Sequence, residues 1–484
     1  MATRIQFEEW LPDQPSITSL RDAKNVYPTG VGYAPFNNQE TFSQSVADRF
    51  NSIFGAKIGD EVGIFAGSDT KLYKLDSTDK SLDDVSKTGN YTGTTWKFVQ
   101  FGATVICANN QDKLQSWTLG TSTQFADLNA NAPTAKYVTV VRDFVVAANL
   151  DAGTNTNKVQ WSDINDETTW VSGTTSQSDY QIIPDGGNIT GLTGGEIGLI
   201  FLEKSIVRMT YAGSPLFFQF DTISRGLGCL EGNSIAQYGA TSFFLSDDGF
   251  YKCDGQTVTG IGTEKVDRYF FNDAELEDIQ SMSAAVDPIK KLVVWNYKNV
   301  QGKRSILIYN WQLNKWSRAE TLASGVGTIT STGVSLEGLD TLGYTDMDNA
   351  DFPSLDSRLW VGGKFLFAGF KNNSEDESPA EGYIVIFEGS TYNSELITPD
   401  IELGYNSVVT LARPQVDNGT ATVKVASRRE LDDNIQFGSS VTTSSEGRVS
   451  LRSAGRYHRF LIIPTGNWTN AIGLDVDVKP QGNR

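Results

Sequence analysis

His458 is the only imidazole in 484 residues, and it sits between Arg456-Tyr457 and Arg459. A Ser-His-Asp triad would have to use it. No Gly-x-Ser-x-Gly elbow precedes a helical stretch, and a strand packed with arginines is a poor setting for a general base. His458 therefore reads as a structural or interface residue. Carboxylates occur as adjacent pairs at Asp83-Asp84, Asp247-Asp248 and Asp432-Asp433. Hydrolysis of a glycosidic bond needs two carboxylates facing each other across a cleft, whereas neighbours on a strand point to opposite faces. These pairs read as turn residues. Cys107, Cys229 and Cys253 form an odd set with no metal-ligand spacing, which suits buried thiols in a reducing compartment. Ser224-Arg225-Gly226-Leu227-Gly228 is a loop and not a nucleotide fingerprint. No catalytic, cofactor-binding or metal-binding residue is nominated, and no cofactor is expected.

What remains is a set of side chains suited to protein contact. Arg428, Arg429, Arg452, Arg456 and Arg459 cluster near the C-terminus around His458, beside Tyr457, Phe460 and Trp468. Strand-borne arginine next to aromatic rings favours an interface. At the other end, residues 1–40 form an arm that Pro12, Pro15, Pro28 and Pro35 keep from being a long helix. Trp10, Tyr33 and Phe36 make it too aromatic for a disordered tail, so it is expected to dock on another domain or subunit. Trp10, Tyr33, Phe36, Arg428, Arg429, Arg452, Arg456, His458 and Arg459 are the candidate interface residues.

The elements that must position them read as strands. The stretch Ala240 to Gly262 shows the pattern: Phe243-Phe244-Leu245 is a short apolar run, Asp248-Gly249 a tight turn, and Phe250 to Cys253 the returning strand. From about 60 to 320 the pattern recurs, with runs at Ile64-Phe65, Val105-Ile106-Cys107, Phe144-Val145-Val146, Leu199 to Leu202 and Leu292 to Trp295. The spacing is roughly 40 to 55 residues, the period of four-stranded propeller blades. A series of sandwiches would also space strands evenly, but the internal layout of each unit favours an all-β propeller of six to seven blades. Residues 41–54 place Phe42, Val46, Phe50 and Ile53 on one helical face, with a strand as the alternative. Thr263 to Ile279 is the best helical segment. Residues 321–358 read as a long loop or an irregular last blade, and Leu359 to Phe370 as a closing strand. Polar residues 371–381 read as a linker. The expected domains are an arm (1–55), a propeller (56–370), the linker (371–381) and a C-terminal β domain (382–484), the last forming a platform with the arm.

Charge limits the partners. The chain carries 40 Lys+Arg against 58 Asp+Glu, a net −18 with a pI near 4.6. That balance argues against a surface built to grip nucleic acid. The C-terminal segment 404–484 is different, with ten Lys/Arg and seven Asp/Glu, which leaves −21 for the remainder. No N-terminal apolar signal segment follows the first Met, and no apolar run is long enough for a bilayer. A cytoplasmic origin and no membrane insertion are expected, so Asn90 to Thr92 is not expected to carry a glycan.

The order of motifs resembles the tail nozzle, or tail hub, proteins of short-tailed bacteriophages. The residues that carry the resemblance are Tyr33-Ala34-Pro35-Phe36, Phe65-Ala66-Gly67-Ser68 with Leu72-Tyr73, and Val159 to Asp163 with Trp170. Leu202 to Ser205, Asp247 to Tyr251, Val286-Asp287-Pro288 and Gly455 to Arg459 continue it. The resemblance implies a non-enzymatic virion protein assembled in the host cytoplasm. It implies a homo-hexamer ring below the portal and its adaptor, in contact with tail fibres or spikes, that retains packaged DNA and touches it in passing during ejection. Charge reversal at Arg452, Arg456 and Arg459 is then expected to block docking on the adaptor. Two other classes stay open: a glycan-degrading propeller, and a glycan-binding one. Ser246-Asp247-Asp248-Gly249 comes near the Asp-box of sialidase propellers but is one residue short and lacks its Trp.

Overall fold

The apolar runs become the second strands of four-stranded antiparallel sheets. In the computed structural model, which describes residues 2–93, 95–331, 365–374 and 378–480, Phe144–Leu150 and Gly198–Leu202 are buried at every residue. Such a strand has a neighbouring sheet on each face, so both of its side-chain rows must be apolar. Blades 1 to 5 span residues 50–84, 97–127, 135–182, 189–225 and 236–260. Blade 7 joins Gly325–Thr330, Phe365–Asn372 and Gly382–Ile386 to Glu40–Thr41, giving six separate four-stranded sheets. Blade 6, residues 283–320, fills the remaining position in the ring and opens a 14-stranded sheet. The innermost strands pack in sequence around one axis, that of blade 7 against that of blade 1. The protein is a β-propeller.

The platform grows out of blade 6. Its outer strand, Lys315–Glu320, runs parallel to Asp22–Lys24, and the sheet continues through Glu395–Ile397, Val449–Thr465, Ile401–Asp417 and Asn470–Pro480 to Tyr33–Pro35 and Val26–Pro28. Ala2–Gln6 pairs with Asn470–Pro480, and Thr420–Arg428 with Val449–Thr465. Arm and C-terminal region therefore build one sheet, as the sequence reading expects.

The boundaries differ from that reading. Residues 371–381 are not a domain linker: Lys371 and Asn372 lie in a blade 7 strand that pairs with Gly382–Ile386 of the same blade. The arm does not end at 55, because Phe50–Ile58 is the innermost strand of blade 1 and Glu40–Thr41 the outermost of blade 7. No helix forms over 41–54. Phe42, Val46, Phe50 and Ile53 do share one core, but through strand and loop geometry. The helix after blade 5 is shorter than the segment suggests, Asp267–Asp273, followed by a 3₁₀ stretch at Leu276–Ser281. The expectations for 332–364 lie outside the described residues. No described helix is long and apolar enough to cross a membrane.

The opening turn shows how local chemistry fixes a blade. Gly249 has φ of 156°, and a Cβ there would run into the Asp267 carboxylate. That carboxylate accepts the Phe250 N–H at 3.0 Å. Burial, with Asp13 and Asp248 nearby, pushes its pKa up to about 6.

The arm aromatics are buried within the chain. Trp10 meets Tyr269 edge to face at 5.2 Å and donates its backbone N–H to the Tyr33 hydroxyl at 3.1 Å, while that hydroxyl donates to the Glu8 carbonyl at 3.0 Å. Phe36 packs on Phe387 and Phe367 between blades 6 and 7. At 1, 1 and 2% exposure, Trp10, Tyr33 and Phe36 are intramolecular fasteners and not a subunit interface. Trp10→Ala should lower the unfolding free energy by about 3–5 kcal/mol, read from urea titration. An unchanged midpoint would mean that the arm does not hold platform and propeller together.

Candidate functional site

The C-terminal arginines separate into two groups. Arg428 and Arg459 both bind Asp400 Oδ2 through Nη2, Arg428 at 2.7 Å. The three side chains are 12, 17 and 8% exposed, so this is a nearly buried three-residue cluster. Arg21 stands close by on the arm. Burial lowers its pKa, and repulsion from Arg459 and Arg428 adds to this against the attraction of Asp400. Arg428 also holds the following turn by donating to the Leu431 and Asp433 carbonyls. Arg428 and Arg459 are thus platform struts and not available contact residues. Removing one partner of a buried pair strands the other charge and costs about 3–5 kcal/mol. Charge reversal at Arg459 would therefore test folding and not docking.

Arg429 and Arg452 are exposed. Arg456 is half-buried, donates through Nε to Glu402 Oε1 at 2.9 Å, and lies over the Tyr457 ring at 5.1 Å. Of the nine candidate interface residues, these three reach the surface. The Asp400 partner was not visible in sequence, since it lies 28 positions before Arg428 and carries no local signal.

His458 is buried. Its Nε2 is 2.8 Å from the Ser407 hydroxyl and its Nδ1 2.7 Å from that of Ser427, which in turn accepts from Ser453 at 2.6 Å. This network joins three platform strands. It does not face a partner, so the interface assignment of His458 falls and the structural one holds. Burial pushes the imidazole pKa below its usual 6.5.

The paired carboxylates sit in turns or at strand ends. Asp247 pairs with Lys204, Asp248 accepts from the Tyr251 hydroxyl at 2.9 Å, and Asp84 pairs with Lys71 at 2.9 Å. All three cysteines are buried free thiols. Among the described residues no cluster of three His, Cys, Asp or Glu side chains could hold a metal.

A feature not anticipated from sequence lies on the propeller axis. The 3₁₀ turn Gly232–Ser234 leads from blade 4 into blade 5 and contacts other blades. Lys97 of blade 2 donates to the Gly232 carbonyl at 3.4 Å, and Trp295 of blade 6 to the Ser234 carbonyl at 2.8 Å. A Cβ at 232 would strike the Thr190 carbonyl of blade 4 and the Tyr137 ring of blade 3. Blades 2 and 5 are not neighbours in the ring, so the turn reaches into the axial space as a partial plug. Beside the plug lies a cavity of about 580 Å³, lined mainly by the inner strands of blades 1, 2, 5, 6 and 7, with Asp69, Arg304, Phe370 and Asn372 from other segments. That volume falls within the range of small-ligand sites.

No known protein family matches the sequence, and no curated protein matches it. Solved structures do. The AfRom2 CNH domain is 9% identical, with a TM-score of 0.41 over 72% of this chain and 99% of that one. The WD40 domain of Pan2 from Neurospora crassa is 7% identical, with a TM-score of 0.39 over 73% and 97%. The extracellular domain of a hybrid two-component system from B. thetaiotaomicron is 10% identical, with a TM-score of 0.41 over 86% and 48%.

The sign of the His458 effect follows from its depressed pKa. The imidazole's contribution is complete above the unfolded value near 6.5 and is lost as pH falls through the folded value, because the unfolded chain binds the proton more readily. The melting-temperature advantage of wild type over His458→Gln should therefore shrink between pH 7.5 and pH 5. A difference independent of pH would mean that the ring titrates normally.

Proposed function

We propose that the chain is a structural subunit of a virion tail. In this reading it forms a nozzle-type homo-hexamer ring below portal and adaptor that retains packaged DNA and lines its route at ejection. The observation that supports it best is the 14-stranded sheet shared by blade 6 and the platform. A sheet that continues from blade 6 into the platform, pinned at its one-pair seam by the Arg318–Asp22 contact, makes a bracket that suits a load-bearing ring. The partly plugged axis adds a constraint: a duplex would have to pass between subunits of a closed ring. An acidic wall would repel phosphate and let DNA slide. Exposed Arg429 and Arg452 would meet an acidic adaptor face. The glycan-binding alternative takes its support from the axial cavity.

Two measurements test the proposal. Quantitative mass spectrometry of purified particles should give one copy of this chain per two portal subunits, and absence from particles overturns the reading. The double variant Arg429→Glu/Arg452→Glu should fold with an unchanged melting temperature and fail to join tails. Normal tails containing that variant would remove the basic platform face from the docking surface.

A further inference from the structure

The axial cavity combines two kinds of group that seldom converge by accident of packing. The first is cationic. Lys97 and Arg304 both line it, against one carboxylate, Asp69, which is engaged by the Asn51 amide at 3.2 Å. In a chain of net −18, this is a local excess of positive charge. Arg304 is held in place by donating to the Ser281 carbonyl at 3.0 Å. Among the described residues Lys97 donates one hydrogen bond, to the Gly232 carbonyl at 3.4 Å, and burial lowers its pKa although Glu231 works the other way. Lowered basicity marks an ammonium short of stabilising partners, which an anion would supply.

The second is aromatic. Phe54 and Phe98 stack at 5.5 Å with ring planes 8° apart, and both rings border the cavity while only partly buried.

We infer that the axial cavity binds a sugar carrying a carboxylate, of the uronic acid class. The carboxylate would be held by Lys97 and Arg304, and the apolar face of the ring by Phe54 and Phe98. Aromatic faces with hydrogen-bonding groups suit a polyhydroxylated ring, and the two cations select the acid form over its neutral counterpart. Duplex DNA does not fit a cavity of about 580 Å³. The inference rests on the glycan-binding reading of the propeller and is independent of the nozzle reading.

Calorimetric titration of the full chain with digalacturonate and with neutral digalactose tests it. Digalacturonate should bind saturably and at least tenfold more tightly than digalactose, and Lys97→Met should erase that preference. Equal binding of both sugars overturns the acid assignment but leaves a glycan site, and binding of neither overturns both. Binding of acetate or inorganic phosphate as tight as that of digalacturonate makes the cavity a general anion pocket and also overturns the inference. Should Lys97→Met not fold, digalacturonate must slow amine-selective labelling of Lys97 in the wild-type chain; undiminished labelling rejects the site.

Discussion

The structure depends on the seam between Lys315–Glu320 and Asp22–Lys24, where propeller and platform become one sheet. The ladder there is thin: the parallel register has a single pair, Lys24 with Arg318. Side chains supply the rest. Arg318 makes a two-pronged contact with Asp22, Nε to Oδ1 at 2.8 Å and Nη2 to Oδ2 at 2.6 Å. Asn25 donates its N–H to the Arg318 carbonyl at 2.8 Å and accepts from the Glu320 N–H at 2.8 Å. Charge-assisted, bidentate bonds of this kind fix angle as well as distance. Around them the arm adds the Trp10–Tyr269 contact and the Lys265–Glu9 ion pair at 2.8 Å. Platform orientation thus follows from a handful of polar contacts backed by one apolar core.

Ring closure uses the same arm a second time. Blade 7 takes its three inner strands from residues 325–386 and its outer strand from Glu40–Thr41, just before blade 1 begins. First and last blades are thereby tied by hydrogen bonds from Phe42 and Ser43 to the Ile384 carbonyl and from Val46 to Gly382. Two residues of strand suffice because the neighbouring core, with Phe50, Leu366, Ile384 and Tyr73, is already packed across the junction. The arm therefore serves both halves, and the polar stretch that looked like a boundary belongs to the blade it crosses.

What could be read from sequence follows from which signals are local. Apolar runs were legible because a second strand buried on both faces has no polar row to break it. Turns were legible because Asp248-Gly249 answers a backbone requirement at one position. Pairing over hundreds of residues was not, since nothing in Asp22 announces Arg318. Residues 41–54 gave the right side chains and the wrong geometry: four apolar residues at helical spacing meet in one core after the chain bends through a loop. The arginine cluster misled for a related reason. Composition marks charge, but only the fold reveals that Asp400 pairs with both Arg428 and Arg459 while Arg429 and Arg452 stay in solvent.

The buried ionisable groups also divide by domain. Asp267, in the propeller, has a pKa raised to about 6, so its contribution to stability is present below the unfolded value and is lost as pH rises through 6. His458, in the platform, is shifted downward and loses its contribution in the opposite direction, as pH falls. Between these limits the two partly offset each other. Neither group touches the axial cavity, whose lining comes mainly from the inner strands. The axis and the platform are therefore chemically separate: one offers a small, partly cationic pocket beside a partial plug, the other a sheet stiffened by buried charge.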